Sequence, residues 1–396
     1  MENTSKKNIR IMRPEERKTV RRLMRICFGW FPMLFFNFGD QTCVYELDGE
    51  IVGGIVLRKF RIDAQRTGGT VMWLFTHPDA RGMGIAGAML DTALEWFAQQ
   101  GCSDIFAGVE GYNTPSGNRF AAHGFTPLRF TTQLKRYGRY LPRVWLGSFH
   151  LIDVGFFLWA RQMQVETAHD AESMPPFPEE QNPRSDTAHS VHAGRGLGGA
   201  ALVWGLLGTF IIHTLSAYFL YLRSGVPLDF SLLWQVPSII ALLLVVRTGI
   251  MISAGRAAGL DLEYRPWESG MSLAVLVSAI FGGLFVAPGS LYPRRRVWSY
   301  ADFLPRLGPM AFAGAFSILA LGWGFRILEN MELSTVLAGL AATGSLYFRI
   351  FLVFEVLLPV FPFTGFNGRR ILDWRRQSWA ILAMGVILLW VAALFL

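Results

Sequence analysis

Between Thr76 and Leu90 the chain reads T-H-P-D-A-R-G-M-G-I-A-G-A-M-L, and Arg81, Gly82, Gly84 and Gly87 have the types and spacing to hold an anion. Glycines in a turn let backbone N–H groups approach a phosphate closely, and a helix that starts there adds partial positive charge. The chemistry indicated is capture of a pyrophosphate-bearing ligand. His77 and Glu110 stand at the ends of two apolar runs and are the visible titratable groups for proton transfer, with Tyr112 nearby. Each also has an ordinary reading: His77 as a turn residue, Glu110 as a solvated strand-end carboxylate, Tyr112 as a packing residue. Arg247, Arg349 and Glu355 lie inside long apolar segments. A charge there costs roughly 2.5–3.5 kcal/mol on insertion scales, so such groups pair or face a cavity. A pair between Arg247 and Glu355 is expected, whereas Arg349 can snorkel to the interface. His169, His189 and His192 have no metal-ligand spacing, and Cys27, Cys43 and Cys102 form neither a disulfide framework nor a zinc set, so no metal is expected.

The elements that must position the loop are legible around it. Val71–Phe75 is a buried strand leading in, and Met89, Leu90, Ala93, Leu94 and Phe97 give the following helix its apolar face, ending at Gly101 as a C′ glycine. Arg10–Phe31 reads as a helical entry. Thr42–Glu46, the turn Asp48-Gly49-Glu50 and Ile51–Leu57 read as strand, turn and strand. Ile105–Glu110 is the next strand and Asn113–Ala122 a short helix closed by His123-Gly124-Phe125. This order predicts a mixed α/β sheet.

A length of 396 residues suggests more than one domain, and 52% apolar with only 17% charged residues is unusual for a soluble chain. The first half is mixed in charge and the second is dominated by apolar runs. Tyr140–Gln164 mixes aromatic and basic residues and predicts an interfacial amphipathic helix over 141–164, with a helix packed on the head as the alternative. Residues 165–196 read as a flexible linker. Beyond it, Gly198–Leu222, Ser231–Ala254, Leu307–Leu328, Thr335–Phe361 and Ser378–Leu396 are long and apolar enough to span a membrane. Met271–Val286 is shorter, glycine-rich and reads as re-entrant. Five spans put the arginines of Arg256–Arg306 and of Asn367–Arg376 on the same side as the head, in keeping with the positive-inside bias. Arginines flanking apolar segments explain the net charge of +8 better than nucleic acid does. The N-terminus lacks the apolar core of a signal peptide, so a cytosolic head on an inner or plasma membrane is expected.

The ordered string Pro78, Arg81, Gly82, Gly84, Ala86 resembles the R/Q-x-x-G-x-G/A loop of GNAT-type acetyltransferases, and residues 8 to 136 are similar to that family. The resemblance implies an α/β GNAT-type domain over 1–140 with acetyl-coenzyme A as co-substrate. Its diphosphate would be held by Arg81, Gly82, Met83, Gly84, Ile85, Ala86 and Gly87, and its thioester by the backbone at Phe75 and Thr76. Asn113, Phe120 and Gly124-Phe125 match the family's downstream N-x-x-A-x-x-x-Y-x-x-x-G-F spacing, with Asn113 toward the pantetheine. Phe120 departs from the tyrosine that often serves as general acid, which leaves Tyr112 as a nearby candidate. Glu110 and His77 are the candidate bases.

A second resemblance covers about 231 to 376. Arg247–Tyr264 resembles the H-E-x-x-H-x-x-A-x-R-x-x-G helix of site-2-type intramembrane metalloproteases, keeping Ala254, Arg256 and Gly259. Arg247, Thr248 and Met251 stand at the His, Glu and His places. Leu307-Gly308-Pro309 resembles the G-P-x-x-N element with Phe312 for Asn, and Leu358–Leu372 resembles the N-x-x-P-x-x-P-L-D-G-x-R-I-L element with Asn367 for the ligating Asp. The implied scaffold is an all-α polytopic membrane domain over 197–396 without the peptidase chemistry. The function expected is N-acetylation of a membrane-associated amine, a peptide N-terminus or a lipid-linked amine. The alternative is an acyl-coenzyme A-sensing adaptor that binds a partner without cleaving it.

Overall fold

The computed structural model describes residues 8–151, 154–163, 198–295, 297–360 and 362–395. The expected linker over 165–196, with its three histidines, lies outside the described residues. The chain divides into two compact units, and Glu110–Thr114 and Leu151–Phe156 cluster with the C-terminal one.

The first unit is built on a seven-stranded sheet in the order β1-β2-β3-β4-β5-β7-β6. Its strands are β1 (Ile9–Ile11), β2 (Gln41–Leu47), β3 (Glu50–Arg61), β4 (Thr67–Thr76), β5 (Cys102–Glu110), β6 (Thr126–Pro127) and β7 (Phe156–Gln162). The hairpin between β2 and β3 closes on Asp48 and Gly49, both at positive φ (51° and 83°), the two-residue turn that matches strand twist. β4 and β5 are parallel, which requires a crossover. The helix after β4 supplies it. Before it comes α1 (Arg17–Phe28), which buries Val20, Leu23 and Met24 against Val44, Val56 and Phe75. The crossover is α2 (Ile85–Gln99), and Gly101 at φ 66° ends it as expected. After β5 follow α3 (Thr114–Ala122), α4 (Phe130–Tyr137) and α5 (Leu141–Gly147).

Two expectations are corrected here. Arg10–Phe31 is not one helix: Arg10 sits in β1, where its guanidinium bonds Glu16 and Glu46, and the helix starts after the turn at Pro14. Residues 141–164 are not an interfacial helix. Among the described residues of this stretch only Leu141–Gly147 is helical, and Phe156–Gln162 is a strand whose Leu158 and Ala160 are buried with Phe106 and Tyr137. The sheet domain therefore runs past residue 140.

The second unit contains α6 (Gly198–Arg223), α7 (Phe230–Ala257), β8 (Leu262–Arg265), α8 (Glu268–Leu276), β9 (Ser290–Pro293), α9 (Tyr300–Glu329), α10 (Thr335–Leu352), α11 (Asn367–Trp374) and α12 (Arg376–Phe395). Five of its helices are long and apolar enough to cross a membrane, while the apolar helix over Glu268–Phe281 is too short. Beside these helices, β8 and β9 pair antiparallel from Leu262↔Pro293 to Arg265↔Ser290. A wide π-type turn, Val353–Leu357, follows α10 and carries Glu355 inward.

Candidate active site

The glycine turn folds as its sequence dictates. Pro78–Ala80 makes a tight turn, and Gly82 and Gly84 follow at φ 85° and 79°, a region that other L-residues enter at a cost of roughly 1–2 kcal/mol. Gly84 is the N-cap of α2, and Arg81, Gly82, Met83 and Gly84 are exposed. Gly87 and Ala88 donate back to the Gly84 carbonyl at 3.0 and 3.1 Å. The amides of Gly82, Met83, Gly84, Ile85 and Ala86 have no acceptor among the described residues. A row of N–H groups without acceptors at the start of a four-turn helix can cradle an anion. A Cβ at Gly82 or Gly84 would meet nothing within 4 Å, so a side chain there would occupy the space an anion needs.

Arg119 was not singled out in the sequence. Its Nη1 lies 3.3 Å from where a Cβ on Gly87 would stand, beside the first turn of α2. A cation at the positive end of a helix is unfavourable unless an anion joins them. Neither Arg81 nor Arg119 has a carboxylate partner among the described residues. The only available sequence signal was a basic residue on the helix after β5, and its approach to α2 is tertiary. Arg119→Ala is expected to weaken acetyl-coenzyme A binding about tenfold and to flatten its salt dependence, measurable by equilibrium titration at two ionic strengths.

β4 and β5 are paired only as far as Val71↔Ala107. Against β3, the register of β4 slips at Met72, since Val56 pairs with Trp73 and Leu57 with Val71. Such a bulge bends the strand. β4 therefore leaves β5, and Met72–Thr76 keeps an edge without a ladder partner from β5. An extended thioester arm can add to that edge, with backbone N–H groups for its carbonyl. Phe75 can contribute only its backbone, because its ring is buried with Val20, Met24 and Val56. Thr76 is half-buried, and its carbonyl accepts from the Cys27 thiol at 3.4 Å.

The candidate proton-transfer groups separate. His77 is a turn residue: its Nδ1 accepts from the Asp79 amide at 3.3 Å and lies 3.6 Å from the Asp79 carboxylate. Tyr112 is buried within the second unit. Its hydroxyl donates to the Leu291 carbonyl at 2.9 Å, lies 3.1 Å from Ser290 Oγ and accepts from Arg370, whose guanidinium covers the ring. These contacts engage both the hydroxyl and the ring. Asn113 is exposed and its amide donates to the Glu110 carbonyl at 2.9 Å, closing the turn after β5. Phe120 is buried against Phe125, centroids 5.1 Å apart. Glu110 differs from all of these. Its Oε1 is buried with no hydrogen-bond partner among the described residues, and burial pushes the carboxyl up to about 7, against the opposing pull of the Tyr112 amide and Arg370.

In the second unit, two of the three places where the protease-like pattern would carry metal ligands, Arg247 and Asn367, meet at Glu355, and the third, Met251, touches Asn367. Arg247 Nε donates to Glu355 Oε1 at 2.7 Å and Nη2 to Oε2 at 3.2 Å, while Nη1 donates to the Gly289 carbonyl at 3.1 Å. Asn367 donates to Glu355 and reaches Met251 Sδ at 3.5 Å. Arg370, one of the arginines of the Asn367–Arg376 stretch, is fully buried and donates to Asn367 and Tyr112. A Cβ on Gly368 would stand 2.9 Å from the Glu355 carbonyl oxygen, so glycine is what allows α11 to approach the π-type turn. These three places thus hold a guanidinium, a thioether and an amide rather than the imidazoles, thiolates and carboxylates that zinc takes, and Arg247 is paired with Glu355.

Residues 8–125 match the model of the Acetyltransferase (GNAT) family. They form a GNAT acetyltransferase domain. Solved structures similar to part of this chain include a chain of the NatC complex bound to Gag peptide and CoA, at 15% identity over 39% of this chain and 98% of that one, TM-score 0.30. The ribosomal-protein-S18-alanine N-acetyltransferase of Escherichia coli is similar at 11% identity over 41% of this chain and 96% of that one, TM-score 0.31. A curated relative is a candidate zinc metalloprotease of Methanocaldococcus jannaschii, 29% identical over 137 residues, which is 34% of this chain and 67% of that protein. The chain thus joins a GNAT domain to a likeness of a metalloprotease.

Proposed function

We propose that the protein is an acetyl-coenzyme A-dependent N-acetyltransferase whose acceptor is an amine held at a membrane, a peptide N-terminus or a lipid-linked amine, with the GNAT domain on the cytosolic side of an inner or plasma membrane. The observation that carries this reading is the row of acceptor-free amides from Gly82 to Ala86 ahead of α2. Bound acetyl-coenzyme A supplies the thioester. Arg81, Arg119 and the loop amides neutralise its diphosphate, and the unpaired edge of β4 orients the acyl carbonyl. Glu110, the last residue of β5, takes the proton that the attacking amine must lose. Phe120 offers no proton to the leaving thiolate, so that proton comes from water. The membrane unit presents the acceptor, and peptidase chemistry is absent because Arg247, Met251 and Asn367 stand where ligands would be needed. Purified protein incubated with labelled acetyl-coenzyme A and native membranes is expected to label a membrane component; label confined to soluble amines would remove the membrane acceptor.

Glu110 makes a pH prediction. A base must be unprotonated, so kcat/KM is expected to rise with pH and level off above about 7. Glu110→Gln is expected to lower kcat about 10²–10⁴-fold and erase that limb while leaving acetyl-coenzyme A affinity within about twofold. The same shift has a stability sign. The folded protein holds this proton more tightly than the unfolded chain, so Glu110 withdraws stability as pH rises from about 4.5 to about 7.

The second reading, an acyl-coenzyme A-sensing adaptor, has Phe120 in its favour. It differs in one outcome: thioester binding without turnover.

A further inference from the structure

α1 presents two faces of opposite character. Val20, Leu23 and Met24 pack into the sheet, while Arg17, Lys18, Arg21, Arg22 and Arg25 are all exposed. None of these five cations has a carboxylate partner among the described residues; Arg17 and Arg21 lie over the Phe38 ring, with guanidinium carbons 5.3 and 5.5 Å from its centroid. The chain then breaks at Gly29, φ 85°, and exposes an apolar surface: Ile26, Phe28, Trp30, Leu34 and Phe35, with Trp30 67% and Leu34 69% exposed. The loop is not loose. Pro32 is buried, and the Phe31 ring bridges Trp30 and Phe35 at centroid distances of 5.5 and 5.8 Å.

A soluble surface rarely gathers that much apolar area in one place without using it. Exposed aromatic and aliphatic groups beside a row of unneutralised cations match the boundary between acyl chains and anionic headgroups. The same chain carries five helices of membrane-spanning length, so a bilayer accompanies every copy of this surface. The patch also borders the thioester end of β4: Phe28 packs edge-on against Trp73 at 5.5 Å, and Cys27 holds the Thr76 carbonyl.

We infer that the exposed basic face of α1 and the loop Phe28–Phe35 form a docking surface for the anionic headgroup layer of the bilayer, setting the unpaired end of β4 at headgroup depth. The acceptor class that follows is an amine lying at the headgroup layer. The docking itself rests on the membrane reading of the helices and not on acetyl transfer, so the two fail separately.

The test is hydrogen–deuterium exchange of the full-length protein in nanodiscs of phosphatidylcholine alone or with phosphatidylglycerol. Amides of 26–36 are expected to exchange at least fivefold more slowly in the anionic discs. Arg21→Glu with Arg22→Glu, or Trp30→Ser with Phe35→Ser, is expected to return them to the phosphatidylcholine rate. Exchange in 102–110 reports that the sheet is intact and is expected to stay unchanged. Equal exchange in both discs overturns the proposal. So does protection that needs raised protein concentration in detergent, which marks a second copy, or protection given by duplex RNA without anionic lipid. If docking holds while no transfer is found, the enzyme reading falls and the surface stands.

Discussion

Gly84→Val is expected to lower acetyl-coenzyme A affinity about 100-fold while the GNAT domain stays folded. Gly84 stands at φ 79°, and valine is the type of residue least able to remain there. The space around its Cβ is open, so the cost is not a clash in the empty loop. It falls on the backbone, which moves toward negative φ and turns the amides of Gly84 and Ile85 out of the cradle. Two hydrogen bonds to an anion, at about 1.5–3 kcal/mol each, correspond to about two or more decades of affinity. Equilibrium titration measures this, and a melting temperature that falls only a few degrees separates it from unfolding. An unchanged affinity would place the diphosphate elsewhere.

The other large effect is in the membrane unit. Glu355→Gln leaves the Arg247 charge buried with an amide where its carboxylate was, and breaking a buried pair by removing one partner costs about 3–5 kcal/mol. Because Gln keeps one acceptor oxygen for Nε, the lower end is expected. Arg247→Met combined with Glu355→Leu removes both charges and is expected to recover most of the loss, since apolar replacement of a whole buried pair is close to neutral or stabilising. Denaturant or thermal unfolding in detergent reads both. Undiminished stability of Glu355→Gln would mean that Arg247 does not depend on this partner.

What could be read from the residues, and what could not, follows from where the information lies. The glycine turn was legible because glycines at positive φ leave a local signature between an apolar run and an apolar-faced helix. The bulge at Met72 that parts β4 from β5 was not, because it depends on the register against β3. Phe156–Gln162 reads as helix in the sequence because a short apolar, aromatic run has no period that separates a buried strand from a helix face. The ion pair was foreseeable, because two opposite charges in apolar spans have few alternatives. Arg370 was not. In the sequence it is one arginine in a basic loop, and only the fold turns it inward to Asn367 and Tyr112. For Glu110 the sequence left base and solvated carboxylate open, and the fact that bears on the choice, a buried oxygen without a hydrogen-bond partner among the described residues, is tertiary.

The most direct measurement is calorimetric titration of acetyl-coenzyme A into the purified full-length protein. The expected result is saturable, exothermic binding with a Kd in the micromolar to sub-millimolar range that weakens as salt rises. A flat titration, or binding unaffected by Gly84→Val and Arg119→Ala together, would contradict the claim that the amides between Gly82 and Ala86 hold this ligand.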